Sequence, residues 1–595
     1  MDDPENAIPS GASTPFLVRR ADGRGFTLPF SDPLTSSRSY PLQWTILPSK
    51  VANIPCAGAT PTTLLERLNF IFETKFPLTP DLAACLTEFI DDGCDIGQVY
   101  GYSRPWWPFV HHVEDFCALP AAIRKRRQKD YGLRSAAINS NHITNPRIPP
   151  RRVWDLYANR VLPYHAMRPK TDWGGEEYPP DNLWAVSHSW VAPAERQSVL
   201  TTINGKAWRV PIPRGTTIND IRNELLLLGA EYVFLDVLCL RQKDELLPEF
   251  ESIRKREWRL DIPTIGYIFN QYPKRPVIIY FNGLGLPFRD GPVDPGDHLH
   301  WFNRVWTLQE TPSQAIFGGL KSKLGQINIS DARSPGPLEM SRGFFEALKS
   351  MKTTNVSLHT TLRTLAARAY SNPVDQVSCL AYLLGCATLP IYDADIDVEV
   401  AWGLLVECLP DVTRTILLFS DFGPRRISES WRPTWKQVKA CRDFQSPSDI
   451  KEEETLKHLD GSSSGLGYRH GFDAYYQKAY IIENCRIRVR QILGGENEHE
   501  VEVEVPSARE GGILSFRISQ MGKTVLSENT SYLLVSVGNL MYWVVAVEEG
   551  VQRIHEERAL EVSKVSTLTI SDPSANYRRF IDYVLKSKRR LIVYK

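Results

Sequence analysis

Between Leu183 and about Leu320 the chain alternates short, wholly apolar runs with stretches of helical spacing, and that alternation restricts its fold more than any other feature. A strand with water on one face alternates polar and apolar residues, whereas an unbroken apolar run implies burial on both faces, as in a parallel sheet covered by helices. Leu183-Trp-Ala-Val186, Tyr232-Val-Phe-Leu235 and Val277-Ile-Ile-Tyr-Phe281 are three such runs, the last closed by Asn282-Gly283. Between the first two, Thr217 is placed to cap a helix with Asp220 three residues on. Ile218, Ile221, Leu225 and Leu228 then form its apolar stripe before Gly229 ends it. Ile262, Ile265, Ile268 and Phe269 mark a second helix, and the spacing predicts a third from Trp301 to Glu310, stopped by Pro312.

At 595 residues the chain exceeds one hydrophobic core, and composition shifts divide it into five parts. Residues 1–59, rich in Pro, Gly and Ser, are expected to be a flexible tail. Residues 60–150 carry helical periodicity in TLLERLNFIFETKF and DLAACLTEFIDD. The α/β pattern occupies 151–330, a second helical region 331–423, and a β-rich domain 424–595, with Tyr480–Val489, Val501–Val505 and Ile513–Ile518 as strands and a hairpin turning at Gly538-Asn539. The run Lys451–Glu454, and Gly461–Gly465 after it, are expected in an exposed loop.

Lys plus Arg total 70 against 69 Asp plus Glu, so no general field draws nucleic acid or an acidic membrane, and any partner must be recognised locally. The basic runs Arg124–Arg127 and Lys588–Arg590 are therefore expected on solvated faces, and no nucleic-acid partner is expected. The ten cysteines are dispersed without CxxC, which suggests reduced, buried thiols. The first fifteen residues lack the basic start and apolar core of a secretory signal, and no apolar run reaches the ~20 residues of a membrane helix. A cytoplasmic location without membrane attachment is the expectation.

In an open parallel sheet, ligands bind beyond the carboxyl ends of the strands. Three segments are predicted to converge there: Ser187-His188-Ser189-Trp190 after the first strand, Asp236 to Asp244 after the second, and the helix after the third, on which Trp306 and Glu310 would share a face. An aromatic plane beside a carboxylate suits a base and a ribose.

The segments VSHSW, LDVLCLRQKD and RVWTLQE, in this order, resemble the three signature segments of the fungal heterokaryon-incompatibility (HET) domain. The likeness extends more weakly to PPRRVWDLYANRVLPY, SNPVDQVSCL and Trp431-Arg-Pro-Thr-Trp435, about half of the chain. The family more commonly has Tyr at His188, Gly at Val191 and Ile-Asn-Gln where Leu240-Arg241-Gln242 stands. The resemblance implies a flavodoxin-like parallel sheet, distantly similar to Toll/interleukin-1-receptor (TIR) domains, flanked by helical regions and the β-rich domain. It implies an effector of non-self recognition and programmed cell death. Enzymatic relatives of that fold cleave the nicotinamide–ribose bond of NAD with a glutamate, which maps onto Glu310, and their conserved tryptophan maps onto Trp306. Ser187 and His188 would then contact ribose or phosphate, Trp190 or Trp306 would stack a ring, and Asp236 would orient its loop. NAD enters as a substrate, with no tightly bound cofactor. The other implied reading is a non-enzymatic module that self-associates through the HET domain, with a protein partner on the flanking regions.

Blander roles compete at each position. Glu310 can pair with Arg304, Trp306 can fill a core, and Asp236 can cap a helix. His188 and Cys239 invite a thiol nucleophile, and His298 with His300 near Asp294 and Asp297 a metal, but without a third ligand at zinc spacing no metal is expected. No GxxxxGK[ST] loop is present.

Overall fold

The structure is a computed structural model that describes residues 45–107, 116–167, 170–171, 177–178, 183–270, 277–289, 293–294, 296–310, 315–319, 344, 358–420, 422, 431–440, 450, 452–458, 475–493, 498–506, 513–521, 526–537, 540–554, 557–569 and 575–594. Most of the expected tail, Lys451, Gly461–Gly465, Pro312 and the Gly538-Asn539 turn lie outside these residues. The fold is mixed: helices, a mixed parallel sheet, and a C-terminal antiparallel β-rich region. It divides into two compact units, 1–353 with 391–393, and 354–390 with 394–595.

The first unit centres on a six-stranded sheet. Its strands are β1 (Arg152–Asp155), β2 (Arg160–Pro163), β3 (Leu183–His188), β4 (Tyr232–Leu235), β5 (Val277–Tyr280) and β6 (Ala315–Phe317), in the spatial order β6-β5-β3-β4-β1-β2. β3 to β6 are parallel, and the β1–β2 hairpin adds antiparallel to β4. Every residue of β3, β4 and β5 is buried, as unbroken apolar runs require. After β3 the chain adds β4 on one side and then returns to add β5 on the other, so the connections diverge at the β3/β5 boundary.

Local chemistry sets the helices. α1 (Pro61–Phe72) and α2 (Pro80–Asp91) each begin with a capping Thr followed by Pro, and α3 (Ile96–Ser103) has a capping box from Asp95 and Gln98. α4 spans Leu119–Ala137. α5 (Ile218–Leu228) has Thr217 accepting from the Asp220 N–H and Gly229 at φ 101°, as its sequence predicts. The second expected helix, marked from Ile262, is α7 (Ile265–Asn270), which begins after Pro263; a separate helix, α6 (Glu251–Asp261), precedes it. α3 lies so close to the hairpin that a Cβ on Gly101 would sit 2.6 Å from Leu162 Cδ1.

The third expected helix is absent. Trp301–Asn303 and Trp306–Leu308 are separate 3-10 turns, with Arg304 extended between them at φ −101° and ψ 143°. The Thr307 hydroxyl donates to the carbonyls of Trp301 (2.6 Å) and Arg304 (2.8 Å), and such side-chain bonds compete with a helical ladder. Trp306 and Glu310 therefore do not share a helix face.

Buried arginines tie the N-terminal helices to the sheet. Arg104, 1% exposed, donates to Asp155 at 2.9 Å and to Glu231, and its guanidinium faces the rings of Tyr157 and Tyr232. Arg222 on α5 donates to the carbonyls of Leu156 (2.7 Å) and Leu47 (2.8 Å).

In the second unit, β7 (Tyr475–Leu493), β8 (Glu498–Pro506), β9 (Ile513–Met521), β10 (Tyr532–Ser536), β11 (Tyr542–Ile554) and β12 (Glu557–Thr569) pair antiparallel in the order β7-β8-β9-β12-β11-β10. β10 pairs back with β7, so the ladder closes on itself. Val501, Val503 and Val505 face the core, where the following helix, α8 (Ala575–Val584), contributes Tyr577, Phe580 and Val584. The expected hairpin is β10 with β11. Glu454 departs from the expected solvated run: it is fully buried against Arg589 at 2.6 Å.

Removing the Arg104 side chain strands a buried carboxylate. Arg104→Met is expected to destabilise the first unit by about 3–5 kcal/mol, read as a lower urea midpoint for its transition. An unchanged midpoint would show that the pair carries no net stability.

Candidate functional site

β3 outruns its neighbour β4: Leu235 pairs with Val186, whereas on the other side Ile279 and Tyr280 pair with Ser187 and His188. Ser187 and His188 therefore lie just past the end of β4, at the boundary where the connections diverge. In an open α/β sheet that boundary leaves a crevice for ligands.

Ser187, 1% exposed, is the hub. Its hydroxyl donates to Glu310 Oε2 at 2.5 Å and accepts from the Trp301 indole N–H at 2.7 Å. Trp301 is fully buried, packed edge-on against Phe281 with ring centroids 5.1 Å apart. The two 3-10 turns thus deliver both an anchor for Ser187 and, just beyond it, the Glu310 carboxyl. Glu310 is only partly exposed. Burial pushes its carboxyl up from the ordinary 4.5 to about 6, against the Ser187 hydrogen bond, with the Asp236 charge adding to the rise and Arg304 and His188 opposing it.

His188 is buried with both ring nitrogens facing acceptors: Nε2 lies 2.8 Å from Asp236 Oδ1 and Nδ1 3.0 Å from the Ser189 carbonyl. Only the imidazolium donates to both. Burial works against its charge, but Asp236 and the Ser189 carbonyl outweigh it and hold His188 above its ordinary value. Asp236 responds in the opposite sense: burial would raise it, but His188 and the Val237 N–H hold it below the ordinary carboxylate range. Asp236 remains 33% exposed, so this pair forms part of the rim.

The structure brings together Ser187, His188, Asp236 and Glu310 and seats Trp190 beside them, edge-on to His188 at 5.3 Å. Arg196 and Arg304 lie against the Trp190 ring at 4.8 and 5.7 Å. Trp306 is placed elsewhere, its ring 6.3 Å from that of Tyr392, and among the described residues no hydrogen bond or ring contact joins it to Ser187, His188 or Glu310. The thiol alternative fails: Cys239 is fully buried, its thiol pushed up to about 12 by burial and directed at the Val233 carbonyl. His300 Nδ1 accepts from the Phe302 N–H, and among the described residues no three metal-ligating side chains cluster.

Sequence reasoning did not find Trp301. Its only signal is a tryptophan five residues before Trp306, and its link to Ser187 spans 114 residues. Arg304 was foreseen only as an ion-pair partner of Glu310; its charge also reaches Asp236 and His188.

No protein-family model matches the chain, and neither a curated protein nor a solved structure matches it significantly. The arrangement's chemistry therefore rests on its own atoms: a carboxyl raised to about 6, fixed by a serine hydroxyl, beside a histidine held above its ordinary value and a guanidinium.

Because Ser187 stabilises the ionised carboxylate, Ser187→Ala should move the Glu310 titration above 6 in a carboxyl-carbon NMR pH series. Relative to Glu310→Gln, the raised carboxyl contributes stability that is full below the ordinary ~4.5. That advantage should disappear as pH rises through about 6. Absence of a carboxyl titrating in that window would refute the assignment.

Proposed function

We propose that this chain is a heterokaryon-incompatibility-type effector of non-self recognition and regulated cell death whose central sheet cleaves NAD at the nicotinamide–ribose bond. The observation that carries the reading is the partly exposed Glu310 carboxyl, held by Ser187 at the crevice where the strand connections diverge. The order of the four parallel strands, second-first-third-fourth in chain sequence, supports a flavodoxin- or TIR-like sheet, with VSHSW, LDVLCLRQKD and RVWTLQE all falling at its carboxyl edge.

In this reading the ribose of NAD lies against Glu310. The C1′–N bond breaks with its electron pair passing to nicotinamide, which leaves as a neutral base. The ribose then carries oxocarbenium-like positive charge, and the adjacent carboxylate stabilises it. Water adds to C1′ and releases a proton. Above pH 6 Glu310 is mainly ionised, as this role requires. Arg304 supplies positive charge for the pyrophosphate, and Asp236 keeps His188 oriented at the pocket lip.

The full-length chain is the material to test, because Asp155 on β1 is satisfied by Arg104 outside the 151–330 segment. Wild type should release nicotinamide from NAD, and Glu310→Gln should lower the rate by about a hundredfold or more without lowering the unfolding midpoint. No release by wild type across a range of protein concentrations would reject the hydrolase and leave homotypic assembly as the mode of signalling.

A further inference from the structure

The first unit also contains a concavity away from the candidate site. A groove of ≈ 1190 Å³ opens between α2, α3 and α4, the β1–β2 hairpin, and α6. It is lined by seven arginines against three carboxylates, Asp92, Asp130 and Glu257. One face of α4, carrying Arg124, Arg127, Tyr131 and Arg134 at spacings of three and four, forms one wall. Two members of the basic run, Arg124 and Arg127, are exposed, as the sequence predicts, and face this groove.

The deeper arginines are fixed and incompletely neutralised. Arg151 and Arg134 share Asp261, at 2.7 and 3.2 Å. Arg152 holds Glu257 at 2.6 Å, while Arg241 reaches the same carboxylate only at 3.6 Å. Arg241 Nε is buried without a hydrogen-bond partner among the described residues. The guanidinium groups of Arg152 and Arg241 each lie 5.2 Å from the ring centroid of buried Trp208, which holds both in place. At the mouth, Arg127 and Arg256 are exposed, and Tyr131 is 74% exposed.

We propose that this groove binds an organic polyphosphate of the nucleoside di- or triphosphate class, with the phosphates on the arginines and the base on Tyr131. Fixed guanidinium forks match phosphate oxygens bidentately, and a concave wall of one charge focuses its field. A mononucleotide suits the volume, since small-ligand pockets run to about 1,000 Å³. A nucleic acid strand would instead need a basic track along the surface, and the chain's net charge is only +1. Burial lowers Arg241 despite the opposing charge of Glu257, with Arg152 and Arg151 adding to the fall. The proposal does not depend on chemistry at Glu310.

Calorimetric titration of the full-length chain at low ionic strength with ATP, ADP, inorganic pyrophosphate and a short RNA tests it. ATP and ADP should bind, and Arg127→Glu with Arg256→Glu should weaken both by about tenfold or more while leaving the unfolding midpoint unchanged. Tyr131→Ala should weaken the nucleotides but not pyrophosphate, and Glu310→Gln should change neither. No binding by wild type, binding indifferent to the charge reversals, or loss of binding in Glu310→Gln would overturn it. RNA bound more tightly than ATP would overturn the mononucleotide assignment.

Discussion

Parallel pairing of β3 between β4 and β5 is the constraint on which the rest of the first unit depends. Because Leu235 pairs with Val186 and Tyr280 with His188, the three strands end in steps rather than at one level. The step leaves Ser187 and His188 beyond the cover of β4 yet still hydrogen-bonded to β5. A polar pair at the end of a buried strand needs partners, since an unsatisfied buried hydroxyl or imidazole costs on the order of 1–3 kcal/mol. Those partners are Trp301, Glu310 and Asp236, and supplying them draws the 301–310 turns and the segment after β4 to the same edge. The hydrogen-bonding needs of a strand end thereby organise the candidate site.

The sheet is also held from its other side. Asp155 ends β1, accepts the N–H groups of Tyr157 and Ala158 at 2.9 Å, and still requires a cation. Arg104, arriving from α3, supplies it, and the rings of Tyr157 and Tyr232 take up the guanidinium faces. A buried ion pair adds little stability over a well-packed apolar pair but strongly penalises its own loss. Arg104 and Asp155 consequently act as a registration device between the helices and the hairpin rather than as a source of net stability.

What could be read from the sequence was local. The apolar runs of β3, β4 and β5, the Thr217 cap and Gly229 all follow from neighbouring residues, and the three segments of the candidate site were placed at the correct end of the sheet by that reading alone. The 301–310 segment misled because Trp301, Val305 and Leu308 fall at helical spacing, while the Thr307 hydroxyl and the extended Arg304 divide it. Long-range contacts left no local trace. Neither the bond from Trp301 to Ser187 nor the burial of Glu454 against Arg589 can be deduced from the residues flanking them.

The segment from Asp236 to Gln242 shows how one short stretch serves both the candidate site and the groove. At its start, Asp236 Oδ1 accepts from His188 and from the Val237 N–H. A single helical turn follows, closed by the Leu240 N–H on the Asp236 carbonyl at 2.8 Å, and the Gln242 side chain returns to the same carbonyl at 3.2 Å. At its far end the Arg241 carbonyl accepts from the Trp258 indole at 2.8 Å while its guanidinium faces Trp208 in the groove. Asp236 is therefore positioned by His188 across the sheet and by backbone bonds anchored up to six residues along its own segment. The Arg241 side chain lines the groove rather than the candidate site, which leaves the Asp236 end of the segment intact.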